Sequence, residues 1–252
     1  MIGNRRDFLS ACFDTAIEAV QPSSCIAKFI PDPPRGRTVV IGAGKASAAM
    51  AKSLEKYFKG PLTGTVVTRY GYNVQCEFIN VIQASHPIPD ETGVRAAKII
   101  LEEVQDLTED DLVICLISGG GSSLLTLPAS DLTIIEKQLI NKKLLLCGAT
   151  VSEINTVRKH ISRIKGGQLA LACLPAPVLT LAISDVVGDD PSVIASGPTV
   201  PDRSTCDQAL KILEKYEITE PKSILKYLSS KKKVEPKRAP KALNKFRFEM
   251  IA

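Results

Sequence analysis

The chain has 252 residues, 44% hydrophobic and 23% charged, enough apolar material for a full core, which excludes the fibrous and disordered classes. Its net charge of +5 is local: between Lys222 and Arg247 ten Lys or Arg face one acid, Glu235. No aromatic stacking platform accompanies that run, so it reads as a solvated face or linker rather than a nucleic-acid surface, and no stretch approaches the roughly 18 apolar residues of a membrane span.

The elements alternate along the chain. An opening helix, Arg6 to Val20, carries Phe8, Cys12, Ala16 and Val20 at helical spacing and is expected to pack on the sheet. Acids interrupt its apolar positions, so no signal-peptide core forms. Strand candidates follow at Thr38–Ile41, Gly64–Thr68, Phe78–Gln83, Leu112–Ile117 and Pro177–Ile183. Between and after them lie helix candidates Ala46–Tyr57, Glu91–Val104, Leu132–Leu146, Glu153–Ile161, Gly167–Ala172 and Thr205–Tyr216. Short apolar runs, each leading into a helix-period segment, predict an α/β fold with a Rossmann-like open, mostly parallel sheet and helices on both faces. The expected division is residues 1–227 as the α/β domain, 228–244 as a basic Pro/Lys-rich linker or excursion, and 245–252 as a strand leading toward a second domain, where the polypeptide is expected to be truncated. The seven cysteines, widely spaced and never in a C-x-x-C pair, read as reduced, buried thiols of a cytoplasmic protein.

Four segments carry candidate chemistry. The first strand runs into Gly42-Ala43-Gly44-Lys45-Ala46-Ser47, where two glycines permit a tight turn and a helix start offers free N–H groups to an anion. Lys45 is expected within the first helical turn, opposing the dipole unless an anionic ligand offsets it. The loop is neither a Walker A motif nor a full dinucleotide fingerprint, since the second strand ends Val67-Thr68-Arg69 without the ribose-binding acid. Second, Ser118-Gly119-Gly120-Gly121-Ser122-Ser123 follows a buried strand and can form a nest of N–H groups for phosphate or carboxylate, or be a plain flexible turn. Third, Asp185 sits at a strand tip, with Asp189, Asp190 and then Ser196-Gly197-Pro198-Thr199 beyond it. Asp185 and Asp189 are candidate Mg²⁺ ligands, Asp185 a candidate proton acceptor, and Asp189 or Asp190 alternatively a helix cap. Fourth, Arg158 and Lys165 can clamp phosphate or carboxylate oxygens, or line a solvated basic face. His86, in Ser85-His86-Pro87, reads first as organising its loop and second as catalytic.

Taken in order, GAGKAS, SHPIPDETG, LISGGGSSLL, EINTVRKHISRIKGGQLA and ISDVVGDDPSVIASGPTVPD resemble the glycerate 2-kinase family that carries a C-terminal MOFRL domain, across essentially Arg6 to Asp202. The resemblance implies ATP- and Mg²⁺-dependent phosphorylation of D-glycerate to 2-phosphoglycerate, with Lys45 and Asp185 standing where the family's proposed catalytic lysine and aspartate stand. Members also carry a hydroxypyruvate reductase label. An NAD(P)H-dependent reductase and a catalytically incomplete anion-binding fragment therefore stay open as alternatives, as does a homo-oligomer.

Overall fold

The structure, a computed structural model, describes residues 4–230 and 245–252. The strands are β1 (Thr38–Ala43), β2 (Thr63–Arg69), β3 (Asn80–Ala84), β4 (Leu112–Ser118), β5 (Val178–Ile183) and β6 (Phe246–Met250). They form one sheet in the order β3-β2-β1-β4-β5-β6, every neighbouring pair parallel. Helices in chain order are α1 (Arg5–Ala19), α2 (Pro22–Cys25), α3 (Ser47–Tyr57), α4 (Glu91–Glu103), α5 (Gly121–Leu124), α6 (Ile134–Leu146), α7 (Val151–His160), α8 (Gln168–Ala172), α9 (Cys206–Lys215) and α10 (Lys222–Ser229).

Both faces of the sheet are covered, which is why its strands read as continuous apolar runs. Successive side chains of β1 alternate sides: Val39 and Ile41 join Cys115 and Ile117 beside α4 and α8, whereas Val40 joins Ile114, Leu116 and Leu181 beside α3. A third core, with Ile140, Leu144, Val157, Leu213 and Leu228, ties α6, α7, α9 and α10 into a helical lobe. Capping boxes set the start of three of these helices. Thr133 with Glu136, Thr150 with Glu153, and Thr205 with Gln208 each satisfy an orphan N–H at both ends of the motif. Glu153, expected to open its helix, instead closes such a box, so α7 begins at Val151.

Several expectations change. The segment 77–79 is not strand, because the Glu55 carboxylate accepts the N–H groups of Glu77, Phe78 and Ile79 at 2.8–3.0 Å and takes the donors a strand would use. The opening helix does not pack on the sheet. None of its residues is buried, and Phe8 and Phe13 are 60% and 66% exposed. Nor are all the thiols buried, since Cys12 and Cys147 are exposed. At the expected linker start, Leu228 lies buried in α10, which runs to Ser229; residues 231–244 of that segment lie outside the described residues. Among the described residues no helix is long and apolar enough to cross a membrane.

Candidate active site

The sheet order reverses direction between β1 and β4. In an open parallel sheet this is where the loops at the strands' C-terminal ends diverge and leave a crevice. The two glycine-rich loops meet there. The turn after β1 is latched to the loop after β4: Lys45 N donates to Gly119 O at 2.8 Å and Ala46 N to Ser118 Oγ at 3.0 Å. Lys45 therefore lies ahead of α3, which starts at Ser47, and not within its first turn. The glycines of this turn serve packing: a Cβ on Gly42 would fall onto the Leu116 carbonyl, and one on Gly44 onto the Ser118 hydroxyl. Ser47, fully buried, donates its hydroxyl to Gly44 O at 2.9 Å and Val67 O at 2.7 Å, which spends it on the turn.

Lys45 and Asp185 converge over the β4 loop from opposite sides. Lys45 Nζ stands 3.6 Å from Asp185 Oδ2, with the side chains 41% and 57% exposed, so the pair is open to solvent and to a ligand. The Asp185 carboxylate packs directly on Gly119, where any Cβ would collide with it. Gly120 has φ +88, a left-handed conformation that a side chain strains. From Gly120 the chain turns into α5, whose backbone bonding begins only with Ser123 N to Gly120 O. The N–H groups of Gly121 and Ser122 have no backbone acceptor among the described residues. The serines are partly committed: Ser123 Oγ donates to Pro87 O at 2.6 Å, and Ser122 Oγ pairs with Ser196 Oγ at 2.9 Å. Ser196 in turn donates to Asn155 Oδ1 at 2.9 Å.

Comparison with known proteins gives the family. Residues 8–229 match a domain of unknown function, DUF4147. The chain belongs to the DUF4147 family. Its relatives include an Agrobacterium vitis protein named as a hydroxypyruvate reductase, 52% identical over 219 residues covering 86% of this chain and 50% of that protein. A Thermotoga maritima protein named D-glycerate 2-kinase is 43% identical over 211 residues, covering 83% and 51%. The crystal structure of a glycerate kinase from Thermotoga maritima superposes with a TM-score of 0.81 at 38% identity, over 95% of this chain and 56% of that one. The resemblance to glycerate 2-kinases carried by the five motifs is borne out, as is the parallel α/β fold. This chain spans about half the length of the curated relatives it matches.

In this DUF4147 chain the remaining candidates make no hydrogen bond or ion pair with Lys45 or Asp185 among the described residues. Asp189 is exposed at φ +50 in the loop beyond β5, and Asp190 accepts Ser192 N at 2.8 Å, closing the turn there. Lys165 is buried, donating Nζ to Leu125 O at 3.0 Å, at the end of α5. Lys137, not singled out from the sequence, does the same for Ile161 O at 3.3 Å, at the end of α7. Both ammonium groups thus sit on carbonyls at helix C-termini, where the dipole favours a cation. Burial pushes Lys137 down to about 7, with Arg158 adding to the drop, and pushes Lys165 well below the usual lysine range, with Lys137 and Arg158 adding. Arg158 Nε donates to Asn141 Oδ1 at 3.0 Å.

Sequence reasoning also passed over Asn155 and weighted Ser196 lightly. Ala195 and Ser196 adopt φ +51 and +63, costly for residues with a Cβ and a feature that clusters at functional sites. The signal available in sequence was the Ser196-Gly197-Pro198-Thr199 turn itself.

Proposed function

We propose that this chain supplies the phosphoryl-transfer site of a D-glycerate kinase, with ATP as donor. The observation that carries this reading is the Lys45–Asp185 pair, 3.6 Å apart over the β4 glycine loop at the sheet's switch point. Phosphoryl transfer asks mainly for positioning and for charge placed where it develops. An exposed ammonium beside free loop N–H groups can receive phosphate or carboxylate oxygens. Lys165 acts from behind the loop by fixing the end of α5, whereas Arg158 is held on Asn141 of α6.

A magnesium ion accompanying the nucleotide suits the donor set. Among the described residues no group of three or more metal-ligating side chains occurs, so a dedicated protein cage is not formed. Mg²⁺ is commonly held by one or two carboxylates together with substrate phosphates, and the half-exposed carboxylate of Asp185, with Asp189 nearby in sequence, fits that use. Bound there, the ion would neutralise phosphate charge. The reductase alternative lacks its acid at the end of β2, where Arg69 instead stacks on the Tyr72 ring with its guanidinium carbon 4.5 Å from the centroid.

The test is ATP consumption with D-glycerate by the wild-type protein and by Lys45→Ala. Removing one such electrostatic group costs about 10²–10³ in kcat. Near-normal turnover by the variant overturns the assignment.

A further inference from the structure

His86 lies outside the pair just described, yet its imidazole faces it. A Cβ placed on Gly120 would come 3.0 Å from His86 Cδ2, 3.1 Å from Nε2 and 3.3 Å from Lys45 Cγ. The ring, the lysine stem and the Asp185 carboxylate therefore share the space over Gly119 and Gly120, delivered from the ends of β3, β1 and β5. The loop that carries the ring is held at several points: Ser123 Oγ donates to Pro87 O, Gln138 Nε2 donates to Pro89 O at 2.6 Å, and Asp90 accepts Gly93 N at 2.9 Å to cap α4.

Neither ring nitrogen has a hydrogen-bond partner among the described residues. The other histidine, His160, is by contrast tied to Ser204 and Cys206. The charges facing the His86 ring are Lys45 and Arg69 on one side of the balance and Asp185 on the other. Burial, then the two cations, hold its pKa below the ordinary imidazole value against the opposing pull of Asp185. The ring thus presents an unengaged nitrogen beside the lysine stem.

We propose that His86 is the proton acceptor for the attacking hydroxyl of the substrate, a catalytic residue of the 2-hydroxy-acid kinase reading on which this proposal rests. The hydroxyl oxygen forms the new bond to the terminal phosphorus of the nucleoside triphosphate. The bridging P–O bond breaks, its electron pair leaves on the nucleoside diphosphate, and the hydroxyl proton passes to the His86 nitrogen. Asp185 is the poorer candidate for that proton, because its carboxylate is already paired with the Lys45 ammonium 3.6 Å away. Its carboxylate is left to pair with Lys45 and to hold the metal.

The chain contains two histidines, so isotope-labelled imidazole resonances report His86 directly, with His160 as internal control and His86→Gln for assignment. Saturating D-glycerate should move the His86 resonances and leave His160 in place. In the activity assay, His86→Gln should lower kcat by about 10²–10⁴-fold, change KM little, and abolish the acid limb of the pH profile while melting at the wild-type temperature. Wild-type turnover together with an unimpaired His86→Gln, or with an acid limb that survives in it, overturns the role of His86 alone. His86 resonances unmoved by D-glycerate do the same. A wild-type protein that binds D-glycerate beside His86 but never consumes nucleotide overturns the kinase reading, and the proton transfer with it.

Discussion

Lys137→Met removes an ammonium that the fold buries on the Ile161 carbonyl, and the pH dependence of the result follows from the structure. The side chain is 2% exposed, and its pKa falls from 10.5 to about 7 on folding. The unfolded chain therefore binds more protons than the folded one between those values, and wild-type stability climbs as pH rises from about 7 toward about 10.5. Below that window the burial of the charge costs the folded state about 5 kcal/mol. Methionine avoids this cost at similar volume but forfeits the hydrogen bond to Ile161 O and leaves that carbonyl unpaired, a loss of about 1–3 kcal/mol. Near about pH 6 the variant should be the more stable protein, by about 2–4 kcal/mol, and near about pH 10 the less stable one. Urea unfolding followed by circular dichroism at several pH values measures the crossing. A stability difference between variant and wild type that does not change with pH, or one that favours the variant more at about pH 10 than at about pH 6, would refute the argument that burying this ammonium costs stability.

Gly120→Ala should strain the left-handed backbone by about 1–2 kcal/mol and push the His86 ring, visible as a lower melting temperature and shifted His86 resonances in the absence of ligand. Asp111 accepts Arg37 N at 2.6 Å and Thr108 N at 2.7 Å and is held well below the usual carboxylate range. Its contribution is present above the ordinary aspartate pKa and lost as pH falls through the depressed folded value. Asp111→Asn should thus lower the melting temperature at neutral pH and flatten the acid side of the stability profile in a pH-dependent melt. Iodoacetamide should alkylate Cys12 and Cys147 first, while Cys115 and Cys173 react only after unfolding, since burial pushes the Cys173 thiol up to about 12 and Cys115 well above its usual value. Peptide mapping by mass spectrometry reads the order.

The strands were legible because a sheet covered on both faces makes most of them short apolar runs, two of which, β1 and β4, lead into glycine-rich turns. The one displaced strand, β3, shows what such runs omit: Phe78 and Ile79 look like strand, but the Glu55 carboxylate, distant in sequence, claims their donors. Periodicity likewise shows that α1 has an apolar face without showing what that face meets, and the sheet does not meet it. The cations misled for another reason. A lysine side chain reaches more than a helical turn from its own backbone, so a basic segment such as 158–165 reads as a surface, whereas Lys165 turns inward to the Leu125 carbonyl at the end of α5. Lys137, between Glu136 and Gln138 on a helix, gave no sign of its burial.

The glycine triplet after β4 was read as room for an anion, and its neighbours make the requirement more specific. A Cβ on Gly119 would strike the Asp185 carboxylate, one on Gly121 the Ala195 methyl at 2.7 Å, and one on Gly120 would press on the His86 ring and the Lys45 stem at 3.0–3.3 Å. Three consecutive positions thus lose their side chains to neighbours on different segments, namely the loops after β1, β3 and β5. A flexible turn would not place a different obstacle over each residue, and a phosphate nest alone would not require any protein group to stand there. The triplet is bare because the lysine, the imidazole and the aspartate must approach one another across it. Substitution at 119 or 120 should therefore disturb the geometry of these three groups before it disturbs the fold, since the sheet beneath is held by β1 and β5 pairing that ends at Ile117 and Ser118.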